Sequence, residues 1–311
     1  MLNICNVSKV FEKSKKKITA VNNVNLNIKS GEVVCILGHN GAGKTTLIKC
    51  ISGLIIPTSG DITIEGKSVL KNTNIPKEKI GAVLEGSRNI YYYLTLKENL
   101  KYFGLLNNLS KAQIEERTEY YLNLLDLKGR ENDMVREFSR GMQQKVAIMV
   151  ALMKNPDILM LDEPTLGLDI ISSNIVKDVI KELSEKWNKT IVITTHDVSL
   201  IENLNSRVIF MRNGNVVKDD SLSNLKSVLS KDSDYEIIVT TESFEKCDKN
   251  HRNLVTVISD DDNLTTLSTN NLNWISNNMT KLNIISMTKQ EKSFESIYSQ
   301  IIQEGDCNEK V

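Results

Sequence analysis

Up to about residue 225, short apolar runs alternate with longer stretches of helical spacing. "EVVCILG" (Glu32–Gly38) reads as a buried strand and "KIGAVLE" (Lys79–Glu85) as another apolar strand. "DITIEG" (Asp61–Gly66) alternates, as a half-exposed strand does. Helical patterning dominates from Thr95 to Asn155, where Ser110, with Gln113 three residues on, predicts the N-terminus of one helix. Strands resume with "DILMLD" (Asp157–Asp162), "TIVITT" (Thr190–Thr195) and "RVIFM" (Arg207–Met211). Asn213-Gly214 then signals a two-residue hairpin. This alternation implies an α/β domain. From about Leu225 the rhythm changes. "YEIIVTT", "NLVTVISDD", "NLTTLSTN" and "LNIISMT" read as four strands, with helical segments around Phe244, Trp274 and Phe294 to Ile302. That order suits a small two-layer α+β module. The pattern therefore predicts two domains, 1–225 and 226–311, with a helical portion at about 95–155.

Composition narrows the function classes. Lys plus Arg equals Asp plus Glu, at 39 each, a balance that argues against a broad footprint for nucleic acid or acidic membrane and leaves room for a local basic patch. The five cysteines (Cys5, Cys35, Cys50, Cys247, Cys307) form no C-x-x-C pair and fit reduced thiols in a cytosol. The N-terminus lacks the apolar core of a signal peptide, and no run of about 18 apolar residues could span a bilayer. Asp260 to Asp262 reads as a solvated hairpin turn, since the calcium-loop pattern needs a Gly and a distant Glu that are absent. His251 reads as a surface residue, and Lys15, Lys16 and Lys17 as a solvated hairpin loop.

"GHNGAGKT" (Gly38–Thr45) matches G-x-x-x-x-G-K-[ST] between a predicted strand and a predicted helix, Lys44 to Ile51. Gly38, Asn40, Gly41 and Gly43 shape a loop whose N–H groups can curl around phosphate oxygens. The helix N-terminus adds positive partial charge. Lys44 is placed to neutralise the β- and γ-phosphates, Thr45 to ligand Mg²⁺ and Thr46 to donate to a phosphate oxygen. His39 fills a free, exposed position. In "ILMLDEP" an apolar strand presents Asp162, a candidate for holding Mg²⁺ through water. Glu163 follows and can polarise a water for in-line attack. ATP and Mg²⁺ are the expected cofactors.

With these two motifs in place, the chain resembles the nucleotide-binding subunit of an ATP-binding-cassette (ABC) transporter. "FSRGMQQ" (Phe138–Gln144) resembles the signature motif, "TLGLD" (Thr165–Asp169) the D-loop, and "TTHD" marks His196 as the switch histidine. Phe11 sits where the family puts an adenine-stacking aromatic; packing is the other reading. The resemblance implies a P-loop ABC ATPase core with an antiparallel β subdomain and an α-helical subdomain. The C-terminal α+β module is extra to it. The resemblance further implies that Ser139 and Gly141 face the γ-phosphate bound by a second ABC subunit. Two cassettes then pair head to tail, a homodimer ahead of a heterodimer. His196 contacts the γ-phosphate, and Asp169 organises the interface. The other partner is a transmembrane permease in trans, which holds the chain peripherally on the cytoplasmic face of the cell membrane; no nucleic acid is implied.

Departures from the family pattern refine this. Arg140 and Met142 in the signature resemble the exporting branch with separate permeases, as does the C-terminal extension with its last segment, "SFESIYSQI". An importer ATPase, or a soluble ABC protein acting on ribosomes or DNA, is the alternative. Glu85 stands where the family carries Gln. It keeps an acceptor for the Mg²⁺ shell and loses the amide donor; otherwise it is a plain strand-end carboxylate. The segment Arg88 to Tyr93 corresponds to the permease-facing end of a lever that starts at Glu85. Three consecutive tyrosines, Tyr91 to Tyr93, are expected to divide between inward and outward packing.

Overall fold

A computed structural model describes residues 1–13, 16–85, 89–231, 234–245, 254–261 and 263–290. Lys15, Arg88, Cys247, His251, Asp262, Cys307 and the segment "SFESIYSQI" lie outside the described residues. The described chain divides into two compact units, Met1–Leu222 and Ser223–Val311.

The first unit opens with strands β1 (Leu2–Lys13), β2 (Lys16–Ile28) and β3 (Val33–Leu37), then helix α1 (Lys44–Ile51). Strands β4 (Ser59–Ile64) and β5 (Lys67–Ser68), helix α2 (Asn74–Lys79) and strand β6 (Ile80–Val83) follow. Helices α3 (Leu96–Leu106), α4 (Lys111–Leu124) and α5 (Arg140–Leu152) come next. The unit ends β7 (Ile158–Asp162), α6 (Ile170–Glu185), β8 (Thr190–Thr194), α7 (Val198–Leu204), β9 (Arg207–Arg212), β10 (Asn215–Ser221).

Two sheets carry this unit. One is antiparallel, in the order β2-β1-β4-β5. The other runs β10-β9-β3-β8-β7-β6, parallel except for β10. Every residue of β7 and β8 is buried, which accounts for the apolar runs Ile158–Leu161 and Ile191–Ile193 within them. Val34, Ile36, Leu47, Ile48, Ile62 and Val192 belong to one core cluster shared by the two sheets and α1. The carboxyl ends of β3, β7 and β8 therefore open on one edge, where an α/β sheet binds ligands.

Residues at the element ends explain the boundaries. Thr95 and Ser110 each form a reciprocal capping box, with Glu98 and Gln113 respectively. Asn213 (φ 48) and Gly214 (φ 81) both take positive φ in the β9–β10 hairpin. Lys16 and Lys17 are solvated as expected, but they belong to a strand and not to a loop. They lie in β2 and pair with Lys13 and Glu12. Helix α5, inside the predicted helical portion, is almost wholly buried. It packs against β6 so closely that a Cβ on Gly81 would sit 2.6 Å from Ala151 O.

The second unit contains α8 (Leu222–Lys231), whose first residue closes the first unit. It continues β11 (Asp234–Thr240), α9 (Thr241–Glu245), β12 (Thr256–Asp260), β13 (Leu264–Thr269), α10 (Leu272–Asn278) and β14 (Ile284–Gln290). The sheet order is β12-β13-β11-β14, antiparallel throughout. From β11 onward this is the split βαβ arrangement. Its core is Ile237, Val239, Phe244, Leu267 and Trp274. Among the described residues, no helix is long and apolar enough to cross a membrane.

Candidate active site

Strand β3 ends at Leu37 and delivers the chain into the loop before α1. Two glycines there are dictated by close approach. A Cβ on Gly38 would meet Met211 O at 2.3 Å, and one on Gly43, which sits at φ 103, would meet Ala20 O at 2.1 Å. Gly214 N–H donates to Ala42 O at 3.0 Å and ties the loop to the β9–β10 turn. Asn40, Gly41, Gly43, Thr45 and Thr46 line the open cleft above. Lys44 is buried and folds back, its Nζ donating to Gly38 O at 2.6 Å and His39 O at 3.3 Å.

Strand β7 brings the carboxylates to the same edge. Asp162 Oδ1 accepts from Thr45 Oγ1 at 3.1 Å and from Thr194 Oγ1 at 2.5 Å. Asp162 Oδ2 is buried without a hydrogen-bond partner among the described residues. Glu163 turns out of the strand at φ 50, and its N–H donates to Thr194 O and Oγ1. Its carboxylate lies 4.0 Å from Lys44 Nζ and 3.0 Å from His196 Nδ1. A carboxylate can only accept, so His196 Nδ1 is the protonated nitrogen and Nε2 is free. Past His196, Asp197 caps α7 and accepts from Thr165 Oγ1 at 3.1 Å. The structure therefore gathers Lys44, Thr45, Asp162, Glu163 and His196 around one cleft.

The remaining candidates are spread more widely. Glu85 is exposed just past β6 and lines both this cleft and the adjoining one beneath Tyr92, Arg140 and Gln143. Phe11 is half-exposed on β1 with Lys9 Nζ 5.1 Å from its ring; from that sheet it is Ala20 that lines the loop cleft. Ser139 is exposed and caps α5, accepting from Met142 N. Gly141 is buried against α6, where a Cβ would sit 2.4 Å from Ser172 Oγ. Asp169 caps α6, and the Ser172 N–H and hydroxyl hold its carboxyl below the ordinary value. Two residues that sequence reasoning passed over, Thr194 and Asn99, also matter. Asn99 is buried and staples the tyrosine turn through the backbone of Tyr91 and Thr95.

The tyrosines depart from expectation. None is buried: Tyr91 is 48%, Tyr92 37% and Tyr93 78% exposed. They occupy a turn rather than a strand, so strict alternation between faces does not apply. Tyr91 packs edge-on against Tyr102, and Tyr93 lies 5.6 Å from the Arg136 guanidinium.

Residues 21–166 match the ABC transporter family. Over 236 residues the chain is 40% identical to the ABC transporter ATP-binding protein NatA of Bacillus subtilis (strain 168). That match covers 76% of this chain and 96% of NatA. The chain belongs to the ABC transporter ATP-binding family. It is 34% identical over 229 residues to the methionine import ATP-binding protein MetN 1 of Bacillus cereus, covering 72% of this chain and 66% of that one. Among solved structures, the ATP-binding cassette MJ0796 in its dimeric post-hydrolysis state, bound to ADP and Pi, superposes with a TM-score of 0.65 at 32% identity. The match takes in 71% of this chain and 99% of that one. The cbiO1 subunit from Clostridium perfringens gives the same TM-score at 27% identity, over 73% of this chain and 90% of its own. ABC cassettes bind and hydrolyse ATP, and this cassette is an ATPase of that family.

Proposed function

We infer that this ABC cassette dimerises around ATP and powers export through a separately encoded permease. The convergence of Lys44, Thr45, Asp162, Glu163 and His196 at one sheet edge carries the ATP chemistry. Lys44 leaves the Gly38 and His39 carbonyls to neutralise the β- and γ-phosphates, while the N–H groups from Gly38 to Thr46 cradle them. Glu163 orients and polarises the attacking water. His196, fixed through Nδ1, presents Nε2 to the γ-phosphate.

Mg²⁺ fits the donors present. Asp162 Oδ2 is an orphaned buried oxygen beside the Thr45 hydroxyl, and both are hard oxygen ligands. Thr45 and Asp162 would hold the ion, with Glu85 at its outer shell. When bound, it neutralises phosphate charge.

A single cassette has one phosphate loop and one signature, so two chains complete two sites head to tail. Exposed Ser139 and the Asp169 cap lie on the surfaces that this pairing uses; Gly141 sets the spacing between them. The dimeric state of MJ0796 supports the pairing. The permease docks beside Glu85, and the exposure of Tyr91, Tyr92 and Tyr93 supports that surface. The cassette is held in this way on the cytoplasmic face of the membrane. Residues 1–225 form the nucleotide-binding domain, with its helical subdomain at about 95–155, and residues 226–311 an accessory domain.

Glu163→Gln is expected to cut turnover by about 10²–10⁴-fold while keeping ATP binding and trapping a dimer. Unchanged hydrolysis refutes the role of Glu163. The similarity to a methionine import protein favours import as the second reading. Inside-out vesicles carrying the permease discriminate: external ATP drives solute inward for an exporter and not for an importer.

A further inference from the structure

Thr194 is the last residue of β8 and is fully buried. In the parallel register of β7 and β8 it stands opposite Asp162. Its hydroxyl donates to Asp162 Oδ1 at 2.5 Å and accepts from the Glu163 N–H at 3.1 Å. The same N–H reaches Thr194 O at 3.0 Å. Glu163 meanwhile holds φ 50, a left-handed conformation that a residue with a Cβ keeps only when its surroundings fix it there. One side chain thus touches both members of the carboxylate pair.

We propose that Thr194 is a positioning residue for ATP hydrolysis, its single hydroxyl fixing both the Asp162 carboxylate and the backbone turn that aims Glu163. This rests on the roles of Asp162 and Glu163 given above. The bonding leaves a definite asymmetry on Asp162. Oδ1 takes two hydroxyl donors, from Thr45 and Thr194, whereas Oδ2 takes none. The oxygen left over is the one available to a cation. The position also demands a hydroxyl, because one group must donate to a carboxylate and accept from an N–H at once. Valine has the same shape and can do neither; serine can do both. A packing role for the β-methyl predicts the reverse order, with valine tolerated and serine not.

The test uses the full chain with Thr194→Val and Thr194→Ser, beside Glu163→Gln. Three quantities are measured: kcat for ATP hydrolysis, KM for ATP, and the Mg²⁺ concentration that half-saturates ATP binding by calorimetry in the Glu163→Gln background. Thr194→Val is expected to lower kcat about tenfold or more with KM held within about twofold, as for a lost bond to a charged group. It should also raise the half-saturating Mg²⁺ concentration several-fold. Thr194→Ser should bring both values back to within about threefold of the parent. Parental kcat and Mg²⁺ dependence in Thr194→Val overturn the proposal. So does a Thr194→Ser variant as impaired as Thr194→Val. If valine prevents folding, Thr194→Ala takes its place, and parental values in that variant are equally fatal. Turnover by Glu163→Gln at the parental rate instead refutes the site reading underneath.

Discussion

Asp197 shows how one side chain can fasten several pieces of the site. Its carboxylate accepts from Thr165 Oγ1, from the Ser199 hydroxyl and N–H, and from Leu200 N–H, with Lys177 Nζ at 3.3 Å. Burial pushes its pKa up, but the Ser199 and Leu200 hydrogen bonds and the Lys177 charge outweigh burial and leave it lowered. A lowered folded-state pKa contributes stability above the unfolded value of about 3.9, lost as pH falls through the folded value. Asp197→Asn removes that contribution and leaves buried Lys177 without its counter-charge. The melting-temperature gap between wild type and Asp197→Asn is therefore expected to be wide at neutral pH and to close below about pH 4. A gap that is constant with pH contradicts this account. At this scale the gathering of side chains around the cleft was legible wherever the residue sits in one contiguous motif. Lys44, Thr45, Asp162 and Glu163 are such cases. Thr194 was not, because its partners are set by strand register, and Thr195 beside it looks the same in sequence.

At the scale of elements, the junction of α5 and α6 is the tightest test. A Cβ at position 141 would come within 2.4 Å of Ser172 Oγ, and Ser172 is the donor that holds Asp169. Gly141→Ala is expected to destabilise the chain by about 1–3 kcal/mol as α5 is pushed off α6. Adding Ser172→Gly removes both obstructing atoms, the oxygen at 2.4 Å and the Cβ at 2.6 Å, so the double variant should be more stable than the sum of the two single changes. Chemical denaturation of the four proteins measures this, and strict additivity disproves the contact. The glycine was visible in the sequence as part of a signature, but its neighbour was not. Strands β1 and β2 were hard to read for a related reason. Their ladder has register shifts between Ile4 and Val7, Val7 and Lys9, and Lys9 and Val10. Each bulge offsets the two-residue alternation by which a strand is recognised.

On the scale of the whole molecule, two compact units meet in sequence at Leu222 and Ser223, and a mixed α/β sheet and a split βαβ sheet space their apolar residues differently. Every residue of the ATP cleft lies within Met1–Leu222. A chain ended after Leu222 is expected to melt cooperatively and to bind ATP within about twofold of the full-length affinity. Calorimetry decides it, and loss of binding would make the second unit part of the site. A last consequence follows from the Gly214 turn. The phosphate loop precedes the β9–β10 turn by most of the first unit, yet it is closed by Gly214 N–H and backed by the Met211 carbonyl. Chains emerge N-terminus first, so the loop waits for its final support until the β9–β10 turn has been made. A premature stop between Thr46 and Gly214 thus yields a fragment that carries the entire phosphate motif without the turn that closes it, and it is expected to hold nucleotide more weakly than the finished protein.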